Sequence, residues 1–378
     1  MKNNRIPLLC YHSIGPIIKT WNRNFLTMSP AYFEKQLIYL KKNYSVIDLE
    51  HYYNLKQGKL APPNNPIVIT IDDGFLDNWI WAFPLLKKYE LKATIFVSPE
   101  MVDPTNAVRP NLDDHWNGKT NKEDLSINGY MSWAEMRIME NSGLIDIQSH
   151  SGSHTKYFVS DKITGFHHHG ADCLYPVGNI FPERKPFHIM DAEFEKLIPF
   201  GTPFFEERSS VVAKKITINP EFNKICIDIL KRNDLSNYRF NEAFAKVKPV
   251  YEKFKKDNAL ILKTESEEEY KARLNYEIVD SKKIIESELK KKVDFLCWPH
   301  GDNNSQAHEV AIQSGYKATT VGNGNGDPDA LDRIGVRFGF KPFLKSEKLG
   351  ILKTEAKINE LKGSTSAKIL KMVYSLFK

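Results

Sequence analysis

The feature that most constrains the fold is the run Pro66–Ile71 (PIVITI), which is rich in β-branched residues. A short run that is apolar at successive positions is typical of a strand buried on both faces in a parallel sheet. Further strand signals occur at residues 6–12, 44–49, 93–97, 144–148, 293–298 and 316–321, and helix signals lie between several of them. This alternation predicts a parallel α/β sheet or barrel.

The alternation is interrupted between about residues 155 and 280. This interval contains many Pro and aromatic residues, followed by a strongly charged stretch. Five apolar residues in and just after that stretch recur at the spacing of one helix face: Tyr270, Leu274, Ile278, Ile285 and Leu289. We therefore predict one α/β domain over residues 1–342 that holds a large, partly helical insertion at about residues 155–280.

Charge and cysteine content restrict the class of protein. The net charge is +6, and all of this excess lies in residues 341–378, which carry nine Lys and three Glu. The balanced main body argues against nucleic-acid binding. The four cysteines form no CxxC pair, which favours reduced thiols. Because we see no apolar h-region of a signal peptide behind the charged N-terminus and no run reaches the ~20 apolar residues of a spanning helix, we expect a cytoplasmic protein.

Asp72 and Asp73 directly follow the strand predicted at residues 66–71. Two adjacent carboxylates in an apolar setting repel each other, and each loses hydration. A metal ion bound by one carboxylate removes this cost and leaves the other free as a base. In barrel enzymes the active site lies at the carboxyl ends of the strands, where this pair is predicted. Taken alone, Asp-Asp-Gly is more often simple turn or helix-cap chemistry.

His150 and His154 follow another predicted strand, at residues 144–148. Two histidines four residues apart can bind one ion, although an isolated pair of this spacing is a weak signal that surface histidines also produce. In the same parallel sheet as the Asp pair, they complete a set of one carboxylate and two imidazoles. Such a set is the open three-ligand site of a hydrolytic metal, for which Zn²⁺, Co²⁺, Ni²⁺ and Mn²⁺ are all suitable.

A third polar turn, Cys297–Asp302 (CWPHGD), lies at the end of the strand predicted at residues 293–298. Pro299 and Gly301 shape a turn that can direct main-chain N–H groups toward the mouth of the sheet. We predict that Trp298, Pro299 and Gly301 contact substrate. Without the other two motifs, a plain strand-to-helix loop would explain this segment.

With these three motifs in this order, the chain resembles the NodB-homology polysaccharide deacetylases, carbohydrate esterase family 4. The resemblance covers about half of the chain: the opening strand around residues 8–13, the segments 29–44, 70–78, 88–97 and 131–155, and the segment 293–333. It implies an α/β fold of the distorted (β/α)7-type barrel, related to the TIM barrel. It also implies a hydrolase that acts in cell-surface glycan biosynthesis.

The resemblance further implies roles for individual residues. Asp72 matches the general base, and Asp73, His150 and His154 match the ligands of one divalent metal, with Zn²⁺ as the first choice. His300 stands where the family usually has Tyr, whose main-chain N–H helps to bind the oxyanion. The implied reaction is hydrolysis of an N-acetyl group from an amino sugar, by metal-activated water with Asp72 as base.

Two catalytic positions depart from the family pattern. Many members carry Arg where Cys297 stands, and that Arg steadies the base. Here Arg333 is our candidate to replace it, with Arg337 as the alternative. The family's general acid, a late His, has no recognisable counterpart, since no His follows His308. By strand position, His12 is the best replacement.

The basic segment 343–378 is predicted to form a helical C-terminal tail. Its Lys residues alternate with apolar ones, so the tail suits either an anionic membrane surface or a docked position on the barrel. The predicted partner is an N-acetylated glycan or its lipid-linked precursor. Placement at the inner membrane surface would fit a lipid-linked sugar made at the inner leaflet.

Two other functions are also compatible with the sequence. One is a deformylase that acts on a formamido sugar, and the other is an inactive glycan-binding homologue. The absent general acid and the Cys297 substitution slightly favour the inactive homologue. The intact set of Asp72, Asp73, His150 and His154 argues more strongly for an enzyme.

Overall fold

The computed structural model describes residues 5–19, 21–230, 239–323, 326–339 and 347–362. Its strands are β1 (Leu8–Tyr11), β2 (Ser13–Ile14), β3 (Thr27–Met28), β4 (Ser45–Ile47), β5 (Pro66–Ile71), β6 (Ala93–Val97), β7 (Ile145–Ser149), β8 (Lys156–Phe166), β9 (Pro203–Ser209), β10 (Ile216–Ile218), β11 (Ile261–Thr264), β12 (Phe295–Leu296), β13 (Ala318–Thr320), β14 (Arg333–Ile334) and β15 (Arg337–Gly339). Its α-helices are α1 (Pro30–Asn43), α2 (Leu49–Lys56), α3 (Phe83–Lys88), α4 (Leu112–Trp116), α5 (Trp133–Asn141), α6 (Leu174–Ile180), α7 (Pro220–Leu230), α8 (Phe240–Lys256), α9 (Glu267–Leu274), α10 (Ser281–Leu289), α11 (Ser305–Gln313) and α12 (Glu347–Leu361). Two π-helical turns, Asn78–Ala82 and Asn275–Asp280, directly precede α3 and α10.

The central sheet contains nine strands in the order β14-β13-β12-β7-β6-β5-β1-β15, with β4 also paired to β5. Every described pair in it is parallel, so the carboxyl ends of the strands lie at one edge. The two outermost strands, β14 and β15, are joined in the chain by Gly335 and Val336, so the sheet curls toward itself. The fold is a distorted (β/α) barrel, which confirms the class predicted from the sequence.

Local sequence explains the position of the elements that build this barrel. β5 is buried over residues 67–71 because both of its faces are covered, as its β-branched composition indicates. α1 begins at Pro30 behind the N-cap Ser29, whose side chain accepts a main-chain hydrogen bond. α5 begins with a capping box between Ser132 and Glu135. Both helices contribute apolar side chains to the main core.

The interval predicted as an insertion contains strands as well as helices. β8 pairs with β9 and β10 pairs with β11, each antiparallel, and the sequence analysis indicated neither pair. Residues of this interval form an apolar cluster of their own, which includes Phe166, Phe205, Phe222, Cys226 and Val247. The charged end of the interval is helical, as predicted, but a π-helical turn separates α9 from α10. The domain boundaries themselves stay a prediction.

The C-terminal helix α12 packs against α1. Gln36 Nε2 donates a hydrogen bond to Thr354 Oγ1 at 3.0 Å, and both residues are fully buried. The remainder of the predicted tail, residues 343–346 and 363–378, lies outside the described part of the chain. Within the described ranges, no helix has the length and apolar character needed to cross a membrane.

Candidate active site

The residues predicted to form the site converge at the carboxyl edge of the central sheet. Asp72 and Asp73 follow β5, His150 follows β7 and His12 follows β1. Together with Arg337 on β15, they line a cavity of about 850 Å³. The parallel topology explains this convergence, because the residues after the strand ends share one opening.

Asp73, His150 and His154 form a compact set of possible metal ligands. Asp73 Oδ1 lies 3.3 Å from His150 Nε2 and 3.1 Å from His154 Nε2. Burial raises the pKa of Asp73, but the two imidazoles hold it well below its usual range. One carboxylate oxygen shared by two ring nitrogens fits the open three-ligand site of a catalytic divalent metal. The assignment of these residues as ligands stays a prediction, which this geometry supports.

The surroundings of His150 suit a metal ligand. Its Nδ1 donates a hydrogen bond to the carbonyl oxygen of Cys297 at 2.8 Å. With the proton on Nδ1, Nε2 carries the lone pair that a metal needs, and it is Nε2 that faces Asp73. The orientation of the His150 ring is therefore fixed by Cys297, which directly follows β12 and is not one of the predicted metal ligands.

Asp72 is paired with Arg337. Arg337 Nη1 donates to Asp72 Oδ1 at 2.6 Å, and Nη2 donates to Oδ2 at 2.8 Å. This two-point geometry is the strong arrangement for a guanidinium and a carboxylate. Although burial raises the pKa of Asp72, the charge and hydrogen bonds of Arg337 lower it to about 2. Asp72 is therefore ionised at neutral pH, as a general base must be.

The prediction that Arg333 steadies the base is wrong. Its guanidinium donates to Asn303 Oδ1 at 3.2 Å and to Thr319 Oγ1 at 3.0 Å, and it is not among the residues that line the cavity. The reason is local, because β14, which carries Arg333, pairs with β13, and Thr319 of β13 accepts from the guanidinium there. β15 pairs with β1 and brings Arg337 to Asp72. Arg337, the alternative named from the sequence, is therefore the residue that pairs with Asp72.

His12 lies beside the base. Its Nε2 is 3.9 Å from Asp72 Oδ2, and its side chain is 29% exposed in the cavity wall. It can therefore face both the base and a molecule bound in the cavity. Its role as the general acid stays a prediction.

The residues of the turn after β12 differ in whether they line the cavity. Trp298 and Gly301 line the cavity, whereas Pro299 is buried and is not among the lining residues, and the substrate contacts of all three stay a prediction. His300 has a left-handed backbone with φ of 58°, and its ring centroid lies 4.7 Å from that of His154. The turn thus holds His300 against a possible metal ligand, and the predicted role of its main-chain N–H stays a prediction.

Three linked cavity residues were missed by the sequence analysis. The hydroxyl of Tyr175, on α6, shares a 2.6 Å hydrogen bond with His300 Nε2, and Arg23 Nη1 donates to the same hydroxyl at 2.9 Å. Asp172 pairs with Arg23 Nε at 2.9 Å. Burial raises the pKa of Tyr175 to about 12, so its hydroxyl keeps its proton at neutral pH. No motif surrounds these residues, and only the fold brings them to the cavity.

Comparisons with known proteins agree with this geometry. Residues 59–168 match the family model described as polysaccharide deacetylase. Over these residues the chain is similar to the polysaccharide deacetylases. It is 29% identical over 179 residues to YxkH of Bacillus subtilis (strain 168), whose name places it among these deacetylases. That match covers 47% of this chain and 58% of the Bacillus protein. The family resemblance stated from the sequence is thereby confirmed.

Two solved structures share the fold. The de-N-acetylase from Aggregatibacter actinomycetemcomitans has a TM-score of 0.53 at 20% identity, and the match covers 91% of this chain and 98% of that one. The BpsB deacetylase domain from Bordetella bronchiseptica has a TM-score of 0.50 at 16% identity, with coverage of 89% and 96%. At these identities the likeness establishes the fold alone, and it agrees with the barrel described above.

Proposed function

We propose that this protein is a metal-dependent hydrolase that removes N-acetyl groups from the amino sugars of a polysaccharide. The observation that carries the proposal is the arrangement at the carboxyl edge of the sheet. There one carboxylate and two imidazoles lie close enough together to bind one metal ion. A second, ionised carboxylate lies beside them in the same cavity. The family match over residues 59–168 supports the same class of reaction.

Asp73, His150 and His154 would hold the metal, and Zn²⁺ suits this mixed oxygen and nitrogen set, as do Co²⁺, Ni²⁺ and Mn²⁺. The bound ion would supply Lewis-acid chemistry, since it lowers the pKa of water to ~7 and polarises a carbonyl group. The protein contributes the orientation of the ligands, through contacts such as that between Cys297 O and His150 Nδ1.

Proton transfer is assigned to two neighbouring side chains. Asp72 accepts the proton of the attacking water, and Arg337 keeps Asp72 ionised before that step. His12 donates a proton to the departing amine. Because His12 Nε2 lies 3.9 Å from Asp72 Oδ2, both groups can act on one bound amide. The main-chain N–H of His300 is assigned to the oxyanion, a role that is commonly worth ~3 kcal/mol of barrier.

The cavity has room for a short segment of glycan. Its volume of about 850 Å³ lies near the upper end for small-molecule sites. We further propose that a lipid-linked precursor is one form of the substrate and that a cytoplasmic enzyme meets it at the inner membrane surface. The basic charge of residues 341–378 supports this placement.

The deciding experiment combines metal analysis with acetate release. After incubation with Zn²⁺, the wild type should hold about one ion per chain, as expected for one three-ligand set, and should release acetate from N-acetylated glycans. Asp72→Asn should keep the metal and lose acetate release, whereas His150→Ala/His154→Ala should lose both. A wild type without bound metal would overturn the proposal in favour of an inactive glycan-binding protein. Release of formate from a formamido sugar, without acetate from any glycan, would replace it with a deformylase.

A further inference from the structure

Glu277 is a buried carboxylate that binds the loop between the two histidines of the metal set. The residue is 1% exposed. Its Oε2 accepts hydrogen bonds from the main-chain N–H groups of Gly152 and Ser153, each at 3.0 Å. Its Oε1 accepts a hydrogen bond from Ser153 Oγ. All three of these bonds end on residues that lie between His150 and His154.

This loop needs an external constraint because its backbone conformation is unfavourable. Ser151 has φ of 66° and His154 has φ of 45°, so two residues that are not glycine adopt the left-handed region. Such residues persist only where their surroundings over-determine them. A carboxylate that accepts from two consecutive N–H groups is a strong constraint of this kind, because its charge strengthens both bonds.

One main-chain N–H and one side chain hold the same loop through its carbonyl groups. Glu100 N donates to Gly152 O at 3.1 Å, and the buried Lys185 Nζ donates to Ser153 O at 3.3 Å. The Glu100 carboxylate connects these contacts, since it accepts from Lys185 Nζ and from the Tyr276 hydroxyl, each at 2.6 Å. The N–H and carbonyl groups of both loop residues are therefore engaged.

We infer that Glu277 is a positioning residue of the metal site: it holds the loop in the conformation that brings His150 and His154 to Asp73. The inference rests on the proposed function. Glu277 also connects the inserted interval to the site. It lies in the π-helical turn at residues 275–280, and π-helical turns are frequent at functional sites. The end of that interval belongs to the metal site rather than to a separable subdomain.

The test measures metal affinity and stability separately in the full chain. Competition with a chromophoric chelator gives the Zn²⁺ dissociation constant, and thermal unfolding of the metal-free protein gives the midpoint. Glu277→Ala should weaken Zn²⁺ binding about 10- to 100-fold, the usual effect of losing a group that orients a metal ligand. Glu277→Gln should weaken it less, because the amide oxygen still accepts from both N–H groups.

Glu265→Gln is the matched control. Glu265 is also a buried carboxylate of the inserted interval, with a side chain 6% exposed, but it pairs with Arg273 at 2.5 Å instead of with the loop. This variant should lower the midpoint and leave the Zn²⁺ dissociation constant unchanged. Gly152→Ala tests the contact from the loop side. Its added Cβ would stand 3.1 Å from Tyr276 Cε1 and 3.4 Å from Glu277 Cα, so the contact between the loop and the π-helical turn must loosen by a few tenths of an ångström, and Zn²⁺ binding should weaken.

Wild-type Zn²⁺ affinity in folded Glu277→Ala would overturn the inference. If Glu277→Ala does not fold, Gly152→Ala decides in its place, and wild-type affinity there would overturn the inference equally. Failure of the wild type itself to bind Zn²⁺ is a distinct result, because it removes the proposed metal site before Glu277 is considered.

Discussion

At the scale of single residues, Asp72, the carboxylate assigned as base, is paired with a guanidinium that comes from an unexpected strand. Many members of the family that the sequence resembles carry Arg at the position of Cys297. Here the smaller Cys297 leaves space beside Asp72, and Arg337 reaches it from β15, with Nη2 2.8 Å from Cys297 Sγ. The same pair of charges is thus formed from a different point in the chain.

Replacing Arg337 should expose Asp72 to the full effect of burial on its pKa. With the guanidinium present, the pKa of Asp72 is about 2. In Arg337→Met we expect the acid limb of the pH–rate profile to move upward by about 1–3 units, the usual effect of one opposite charge. Arg333→Met is the matched control and should keep the wild-type limb. An unmoved limb in Arg337→Met would show that another group keeps the base ionised.

The same pair predicts how the stability of the metal-free protein depends on pH. The folded pKa of Asp72, about 2, lies below the unfolded value of about 3.9. The pairing therefore stabilises the fold above pH ~4, and this contribution is lost as the pH falls toward ~2. Urea unfolding should show Arg337→Met less stable than wild type by about 3 kcal/mol at neutral pH. A deficit that does not shrink in acid would contradict this assignment.

His12→Gln tests the donation of a proton to the departing amine. General acid–base catalysis contributes about 10²- to 10⁴-fold, so kcat should fall by a factor in that range while the metal content stays that of the wild type. His51→Gln changes a histidine on α2 that does not line the cavity, and it should leave kcat unchanged. Wild-type kcat in His12→Gln would remove His12 from the mechanism.

At the scale of elements, a buried series of hydrogen bonds joins α12 to the barrel. The Tyr11 hydroxyl donates to Gln36 Oε1 at 2.9 Å, and Gln36 Nε2 donates to Thr354 Oγ1. The Thr354 hydroxyl then donates to Gly350 O within α12 at 3.0 Å. Because the series connects β1, α1 and α12, the last described helix is part of the outer layer of the barrel.

Thr354→Val should destabilise the protein, because it leaves the buried amide of Gln36 without this acceptor. An unsatisfied group of this kind costs about 1–3 kcal/mol. Leu352→Ala lies on the same helix at a position 45% exposed and should cost less than ~0.5 kcal/mol. Denaturant unfolding of both variants measures the difference. Equal, small losses would mean that α12 does not unfold together with the barrel.

The strands that carry the site could be predicted because their pattern is local. β5 and β7 are almost wholly buried, and a polar motif follows each directly, so composition alone located both the strand and the motif. β8 and β10 were missed, because most of their residues are only half-buried or exposed and give no clear alternation. Their structure depends on antiparallel partners distant in sequence, which local propensity does not reveal.

At the scale of the whole molecule, metal binding should appear as added stability. A ligand that binds only the folded chain stabilises it by about 4 kcal/mol when its concentration is 1,000 times Kd. The thermal midpoint of the wild type should therefore rise with Zn²⁺ concentration, and that of His150→Ala/His154→Ala should not. An equal rise in both proteins would assign the effect to a site elsewhere.

Most of the groups that orient the site could not be predicted, because only long-range packing brings them together. Tyr175 and Glu277 come from the inserted interval, and Arg337, which the sequence offered only as the alternative to Arg333, comes from the final strand of the barrel. No spacing in the sequence relates them to Asp72 or His150. Motifs at strand ends thus identify candidates for chemistry, whereas the partners that hold them require the fold.

The pairing of β15 with β1 has a consequence for the order in which the molecule is completed during synthesis. β1 is the first strand of the barrel and β15 the last. During translation, Asp72, His150 and His154 are therefore synthesised long before Arg337. Until β15 docks, one edge of β1 is unpaired and Asp72 has no guanidinium to offset its burial. Joining such distant segments is also the slow part of folding for chains dominated by non-local contacts. Closure of the barrel therefore supplies the charge that keeps Asp72 ionised once it is buried.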